Sequence, residues 1–323
     1  MKKVTVVGGG TGTFVVLSGL KNYPVDLGVI VTMMDSGGST GRLRDQLGVL
    51  PPGDLRQCLV ALSEAPVLWR KLFLYRFEKG DFAGHNFGNL FLSALEKVCT
   101  NYNEVIETAS FVLKTKGKVI PVTFDKSHLA IQYKNGKVIT GEHLIEENIS
   151  EASPIEKAFL DPSANPNPLA IDAIQQSDIL IIGPGDLYTS IIPVLLVNKI
   201  KQAIMSSKAR IVFIMNLMTK SGQTNNYKAS DHLKDLTKYM GRQPDQIIVN
   251  SGNISPEILR WYKEHNESLV QNDLIAYGYK KEIIEDNLID MTRFEKTSSD
   301  TLTRSILRHD SQKLAQLLQR ILI

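Results

Sequence analysis

Apolar and polar residues alternate along this chain with two different periods. "KVTVV" (3–7) and "DLGVIVTMM" (26–34) are short apolar, β-branched runs suited to the middle of a parallel sheet. Between them, residues 12–21 turn Val15, Val16, Leu17 and Leu20 toward the sheet as a helix. Further helices are predicted over 52–65, 66–77 and 87–99, the second opening on a proline, as first helical turns often do.

The pattern changes near residue 110. Residues 117–145 alternate at period two and contain "KNGK", a strong hairpin signal, which predicts an antiparallel insertion. "DPSANPNP" (161–168) reads as a connector. Strand patterns then resume in "DILIIGPGDLYTS" (178–190), "RIVFIMNLMTKSGQT" (210–224) and "QIIVNSG" (246–252). Near the C-terminus Leu314, Leu317, Leu318 and Ile321 stand at helical spacing, as a docked closing helix or as one for a partner. The expected fold is one α/β domain over 1–323, a doubly wound, mostly parallel sheet with a small antiparallel β insertion at about 117–145.

Composition narrows the function. In 323 residues, 43% hydrophobic and 22% charged describe an ordinary globular chain. A net charge of +3, from 37 basic and 34 acidic residues, argues against nucleic acid as a partner. No apolar run approaches the ~20 residues that cross a bilayer, and the N-terminus lacks a signal-type core. A cytoplasmic protein without membrane insertion is expected. Cys58 and Cys99, without metal-ligand spacing, read as small apolar residues.

The chemistry concentrates in four loops that a parallel sheet would open on one edge: "GGGTGT", "DSGGSTGR", "GPGDLYTS" and "NLMTKSGQT". Each can turn backbone N–H groups toward anionic oxygens. The first has Thr13 where a dinucleotide fingerprint needs its third glycine, which counts against an NAD-dependent oxidoreductase. The second lacks the lysine of a P-loop. Arg42, Arg44 and Arg56 suit phosphate or carboxylate, or else surface pairs with Asp45 and Asp54. Asp54 could also serve a helix N-terminus. "GHNFGNL" (84–90) offers His85, Asn86 and Asn89 to a polar ligand, His85 having a purely structural alternative. Asp35, Asp54 and Asp186 could share a hydrated Mg²⁺ with phosphates. No G-x-S-x-G, H-E-x-x-H or triad spacing occurs, so covalent catalysis has no visible nucleophile. Gly37, Gly38 and Arg42 are expected to wall a composite pocket closed by "GPGDLYTS".

"VVGGGTGT", "DSGGSTGRLR", "PPGDLR", "HNFGNL", "GPGDLYTSIIP", "NLMTKSGQT" and "RHD" occur in that order. The set resembles the YvcK-type gluconeogenesis factors, relatives of 2-phospho-L-lactate transferase (CofD). The resemblance implies a Rossmann-like core and UDP-N-acetylglucosamine or a dinucleotide as ligand. It also implies a role in gluconeogenic growth, cell shape and peptidoglycan synthesis through protein partners in cell-wall synthesis or carbon regulation, with a homo-oligomer compatible. No established turnover comes with that group. Its transferase relatives move a phospholactyl group from an activated nucleoside diphosphate onto a deazaflavin alcohol.

Carried over by motif, the ligand-binding residues would be Gly9, Gly10, Thr11, Gly12 and Thr13 in the first loop and Asp35, Ser36, Gly37, Gly38 and Ser39 in the second. Arg42, Asp54, Arg56, His85, Asn86 and Asn89 follow. The third loop adds Gly183, Pro184, Gly185, Asp186, Tyr188, Thr189 and Ser190, and the fourth Asn216 and Thr219. Tyr262 and Arg308 look like sugar-nucleotide contacts. "DSGG" departs from the commoner Asp-Asp/Asn-Gly-Gly, which removes a second carboxylate beside Asp35 and weakens the Mg²⁺ expectation.

Overall fold

A computed structural model describes residues 1–290 and 306–322. The chain runs β1 (Lys3–Gly8), α1 (Gly10–Leu20), β2 (Asp26–Val31), α2 (Gly38–Leu47), α3 (Pro52–Leu62), α4 (Val67–Leu74), α5 (Phe87–Val98), α6 (Tyr102–Leu113) and β3 (Lys118–Pro121). There follow β4 (His128–Tyr133), β5 (Val138–Thr140), α7 (Glu142–Glu147), β6 (Ile155–Asp161), α8 (Pro168–Gln176) and β7 (Ile179–Ile182). After a π-turn at Leu187–Ile191 come α9 (Ile192–Leu196), α10 (Ile200–Ser206), β8 (Arg210–Ile214), α11 (Ala229–Met240) and β9 (Gln246–Asn250). The described chain closes with α12 (Pro256–Glu264), α13 (Leu274–Tyr277), β10 (Glu282–Asp286) and α14 (Ser311–Leu322).

Seven strands make one parallel sheet in the order β10-β9-β8-β7-β1-β2-β3. All four residues of β7 are buried, as are five consecutive ones of β1, so helices cover both faces and unbroken apolar runs are the strand signal. From β1 the sheet grows one way through β2 and β3 and the other way through β7 to β10. That reversal opens a crevice outside the carboxyl ends of β1 and β7, where doubly wound sheets hold ligands.

Two expectations are corrected. "DSGGSTGR" is not a free loop: β2 stops at Val31, Gly37 caps α2 in extended conformation, and the helix runs from Gly38 until left-handed Gly48. Gly41 lets that helix close, since a Cβ there would lie 2.2 Å from the Ser36 carbonyl oxygen. The antiparallel insertion is likewise displaced from 117–145. Val119, Ile120 and Pro121 are all buried, so β3 joins the parallel sheet beside β2. The small sheet, in the order β5-β4-β6, spans 128–161, and its "KNGK" turn closes through the Tyr133 N–H to the Lys137 carbonyl at 2.9 Å.

The C-terminal helix docks on α1. Ser311 Oγ donates to the Val15 carbonyl at 2.9 Å, and Leu314, Leu317, Leu318 and Ile321 are buried. Leu318→Ala is expected to cost about 2–5 kcal/mol in urea unfolding, the range for a buried leucine. A loss below about 1 kcal/mol would contradict this docking.

Candidate functional site

The crevice holds a cavity of about 240 Å³ built from eight stretches of the chain. Gly9, Gly10, Thr11 and Gly12 bring the N-terminus of α1 to it, and Asp35 and Asp54 arrive from beyond β2 and from the first turn of α3. Pro184, Gly185, Asp186 and Ser190 follow β7, Asn216 and Thr219 follow β8, and Tyr262 and Arg308 close the rim. Gly9, the N-cap of α1, makes no side-chain cap, and the first turn carries no acidic side chain. The positive end of that helix dipole faces the cavity, where the Asp54 side chain takes the Gly10 N–H. Close approach is built in, because a Cβ at Gly12 would fall 2.2 Å from the Pro184 carbonyl oxygen. Asn216 fastens the two loops, its Nδ2 donating to the Gly185 carbonyl at 2.8 Å.

Five carboxyl side chains line the same space: Asp35, Asp54, Glu142, Glu146 and Asp186. Burial, with the neighbouring Asp35 charge, pushes Asp54 up to about 8, against an opposing backbone N–H of Gly10. Burial and the adjoining Glu146 lift Glu142 well above the carboxylate range. Glu146 is raised to about 7 by burial and by Asp186, with Lys220 opposing. These acids therefore hold protons near neutral pH and can donate hydrogen bonds there. Burial alone would lower Lys220, but the charges of Asp186, Glu267 and Glu146 outweigh it and raise the ammonium. Its Nζ stands 3.7 Å from Glu267 Oε1. Asp35 commits Oδ1 to the Gly37 N–H at 2.9 Å. Among the described residues no three His, Cys, Asp or Glu side chains are grouped to hold a metal ion.

A family model described as 2-phospho-L-lactate transferase CofD matches residues 4–289. The chain belongs to the CofD family. The gluconeogenesis factor of Bacillus subtilis is 41% identical over 99% of this chain and 98% of its own length. That of Halalkalibacterium halodurans is 37% identical over 98% of this chain and 95% of its own. A crystal structure of a UPF0052 family member from Bacillus halodurans superposes with a TM-score of 0.87 at 37% identity, covering 98% of this chain and 99% of that one.

In this CofD-family chain several sequence-derived candidates lie elsewhere. Ser36, Gly38 and Arg42 line a second, shallower cavity with Asp45, Glu78 and His143, so Gly37, Gly38 and Arg42 do not wall the first. Arg42 donates to the Ala83 carbonyl at 2.9 Å. Ser39 Oγ meets His85 Nδ1 at 3.2 Å, Asn86 caps α5, and Asn89 reaches Thr40 Oγ1 at 3.4 Å. Arg56 is buried beside Gly88. "GHNFGNL" thus knits α2 to α5. Thr13 Oγ1 turns back onto the Gly9 carbonyl, and Tyr188 donates to Asp235 at 2.6 Å in the core. Gly183 lies under Ile191, and Thr189 contacts Glu146 at 3.4 Å without lining the cavity. Asp54 occupies the first turn of α3, yet its carboxylate receives the Gly10 N–H of α1.

The sequence reading missed Glu142 and Glu146, and it quoted "NLMTKSGQT" and "RHD" without singling out Lys220 or His309. A helix through "GEHLIEE" would have put Glu142 and Glu146 on one face, four residues apart. Read as the end of a hairpin, the segment gave no such signal. α7 is tied down by Glu142, which accepts the Ser36 N–H at 3.1 Å, and by Ser36 Oγ, which accepts the His143 N–H at 2.9 Å.

Proposed function

We propose that this protein is a nucleotide-sugar-binding regulator of the gluconeogenesis-factor type, with UDP-N-acetylglucosamine in the cavity at the head of α1. The observation that carries this reading is the meeting of the α1 N-terminus, Lys220 and Arg308 in one crevice. Helix N–H groups and a guanidinium suit a diphosphate, and protonated carboxyls suit sugar hydroxyls. In this reading the protein acts in the cytoplasm through protein partners in cell-wall synthesis or carbon regulation, linking sugar-nucleotide supply to growth on gluconeogenic carbon, to cell shape and to peptidoglycan. The names of the relatives support the gluconeogenic part. No described helix is long and apolar enough to cross a membrane.

Isothermal titration with UDP-N-acetylglucosamine tests it. Binding is expected, and Arg308→Ala should weaken it about tenfold or more, the scale of a lost charged hydrogen bond. Arg42→Ala, in the second cavity, should leave it unchanged. No heat at millimolar ligand would overturn the reading. The family model's description favours a second reading, phospho-group transfer. It requires product when Mg²⁺, a deazaflavin alcohol and an activated lactyl nucleotide are supplied, and fails without it.

A further inference from the structure

His309 follows Arg308 and lines the cavity at the end of β8, with its residue only 7% exposed. One side of its ring meets the backbone of Met215. The Met215 N–H is already given to the Ile248 carbonyl at 2.9 Å, so the ring donates to the Met215 carbonyl. Nε2 has no hydrogen-bond partner, which leaves Nδ1 as the proton-bearing nitrogen and Nε2 as a lone-pair acceptor. Burial holds the imidazole down at about 4, so the ring is neutral near pH 7.

Asn216, one residue beyond Met215, repeats the arrangement. Its Nδ2 is spent on the Gly185 carbonyl, which fixes the amide orientation, and Oδ1 is left unpartnered. Two acceptors on one wall, each with under 1 Å² open to solvent, are satisfied neither by protein nor by bulk water. A buried acceptor without a donor is destabilising, so the site gains when a donor arrives. Phosphate oxygens, which only accept, cannot fill this role.

We propose that His309 Nε2 and Asn216 Oδ1 are a specificity-determining acceptor pair that takes N–H or O–H donors from the uncharged part of the ligand. This rests on the nucleotide-sugar reading of the cavity. The anionic part lies at the head of α1 and the donor-bearing part at the end of β8, which sets the ligand's direction in the crevice.

The test is calorimetry with UDP-N-acetylglucosamine and with UDP on three proteins. His309→Asn keeps a donor at the Nδ1 position and deletes the Nε2 acceptor. His309→Gln restores an acceptor near the Nε2 position. His309→Asn is expected to weaken binding about tenfold, with His309→Gln recovering most of the loss. A loss confined to the sugar nucleotide assigns the donor to sugar hydroxyl or amide groups, and an equal loss with UDP assigns it to the base. Unchanged affinity in His309→Asn, with a melting temperature like the parent's, overturns the pair while leaving the nucleotide-sugar reading intact. If the parent binds neither nucleotide, the nucleotide-sugar reading fails and the pair with it. A His309→Gln protein as weak as His309→Asn, with both folded, would also overturn the acceptor role.

Discussion

Gly12→Ala is expected to abolish nucleotide-sugar binding and to lower the melting temperature. The added methyl would lie 2.2 Å from the Pro184 carbonyl oxygen, 2.6 Å from its carbon and 3.1 Å from the Gly185 nitrogen. All three are backbone atoms, which cannot rotate away as a side-chain tip can. The first turn of α1 and the loop after β7 must therefore separate. Overpacking of this kind costs typically about 1–3 kcal/mol, or roughly 1–5 °C in a chain of this size. Both segments line the cavity, so the same displacement spoils the helix N-terminus and the loop that faces it. Thermal melting and calorimetry check the two effects together. A stable protein with parental affinity would show that the approach of these loops does not shape the site.

Asp54→Asn is expected to remove a pH-dependent weakness. The Asp54 carboxyl stands near 8 in the folded chain against an ordinary 3.8, because burial and the Asp35 charge disfavour its ionised form. Between those values the folded state holds a proton that the unfolded chain has released. Stability from this group therefore falls as pH rises through that window and levels off above about 8. Glu146, raised to about 7, acts with the same sign. The parent's melting temperature should decline from about pH 4 to about pH 8, and Asp54→Asn should flatten that decline and melt higher at the alkaline end. Affinity for an anionic ligand should weaken as pH rises through about 7 to 8, where Glu146 and Asp54 ionise in the folded protein and each adds a like charge beside it. Identical pH profiles for parent and variant would place the titration elsewhere.

Much of the framework was legible in the residues themselves. "KVTVV" and "DILII" are apolar without alternation, and only a sheet covered on both faces uses such runs. The C-terminal leucines carried their docking in their spacing. The cavity lining was legible where it is a loop just beyond a strand, as at Gly9–Gly12, Pro184–Asp186 and Asn216. It was not legible where glycine and polar residues make contacts between helices instead of lining that cavity. Gly37, Gly38 and Arg42 have the composition of an anion loop, but Gly41 shows a helix folded tightly back on Ser36. His85, Asn86 and Asn89 look ligand-ready and instead join α2 to α5.

What the chain's pattern determined by itself was the layered sheet, the order of its strands' turns and the edge on which its polar loops open. Periodicity states which face of an element is buried, and that suffices for these features. Which polar groups share one cavity was decided only by tertiary structure. Glu142 reaches the Ser36 backbone across 106 positions of sequence, carried there by a small sheet whose packing no local pattern encodes. The protonation of Asp54, Glu142 and Glu146 likewise belongs to no single residue. It arises from burial and from charges brought together by α3, α7 and the loops after β2 and β7, and exists only once the chain has folded.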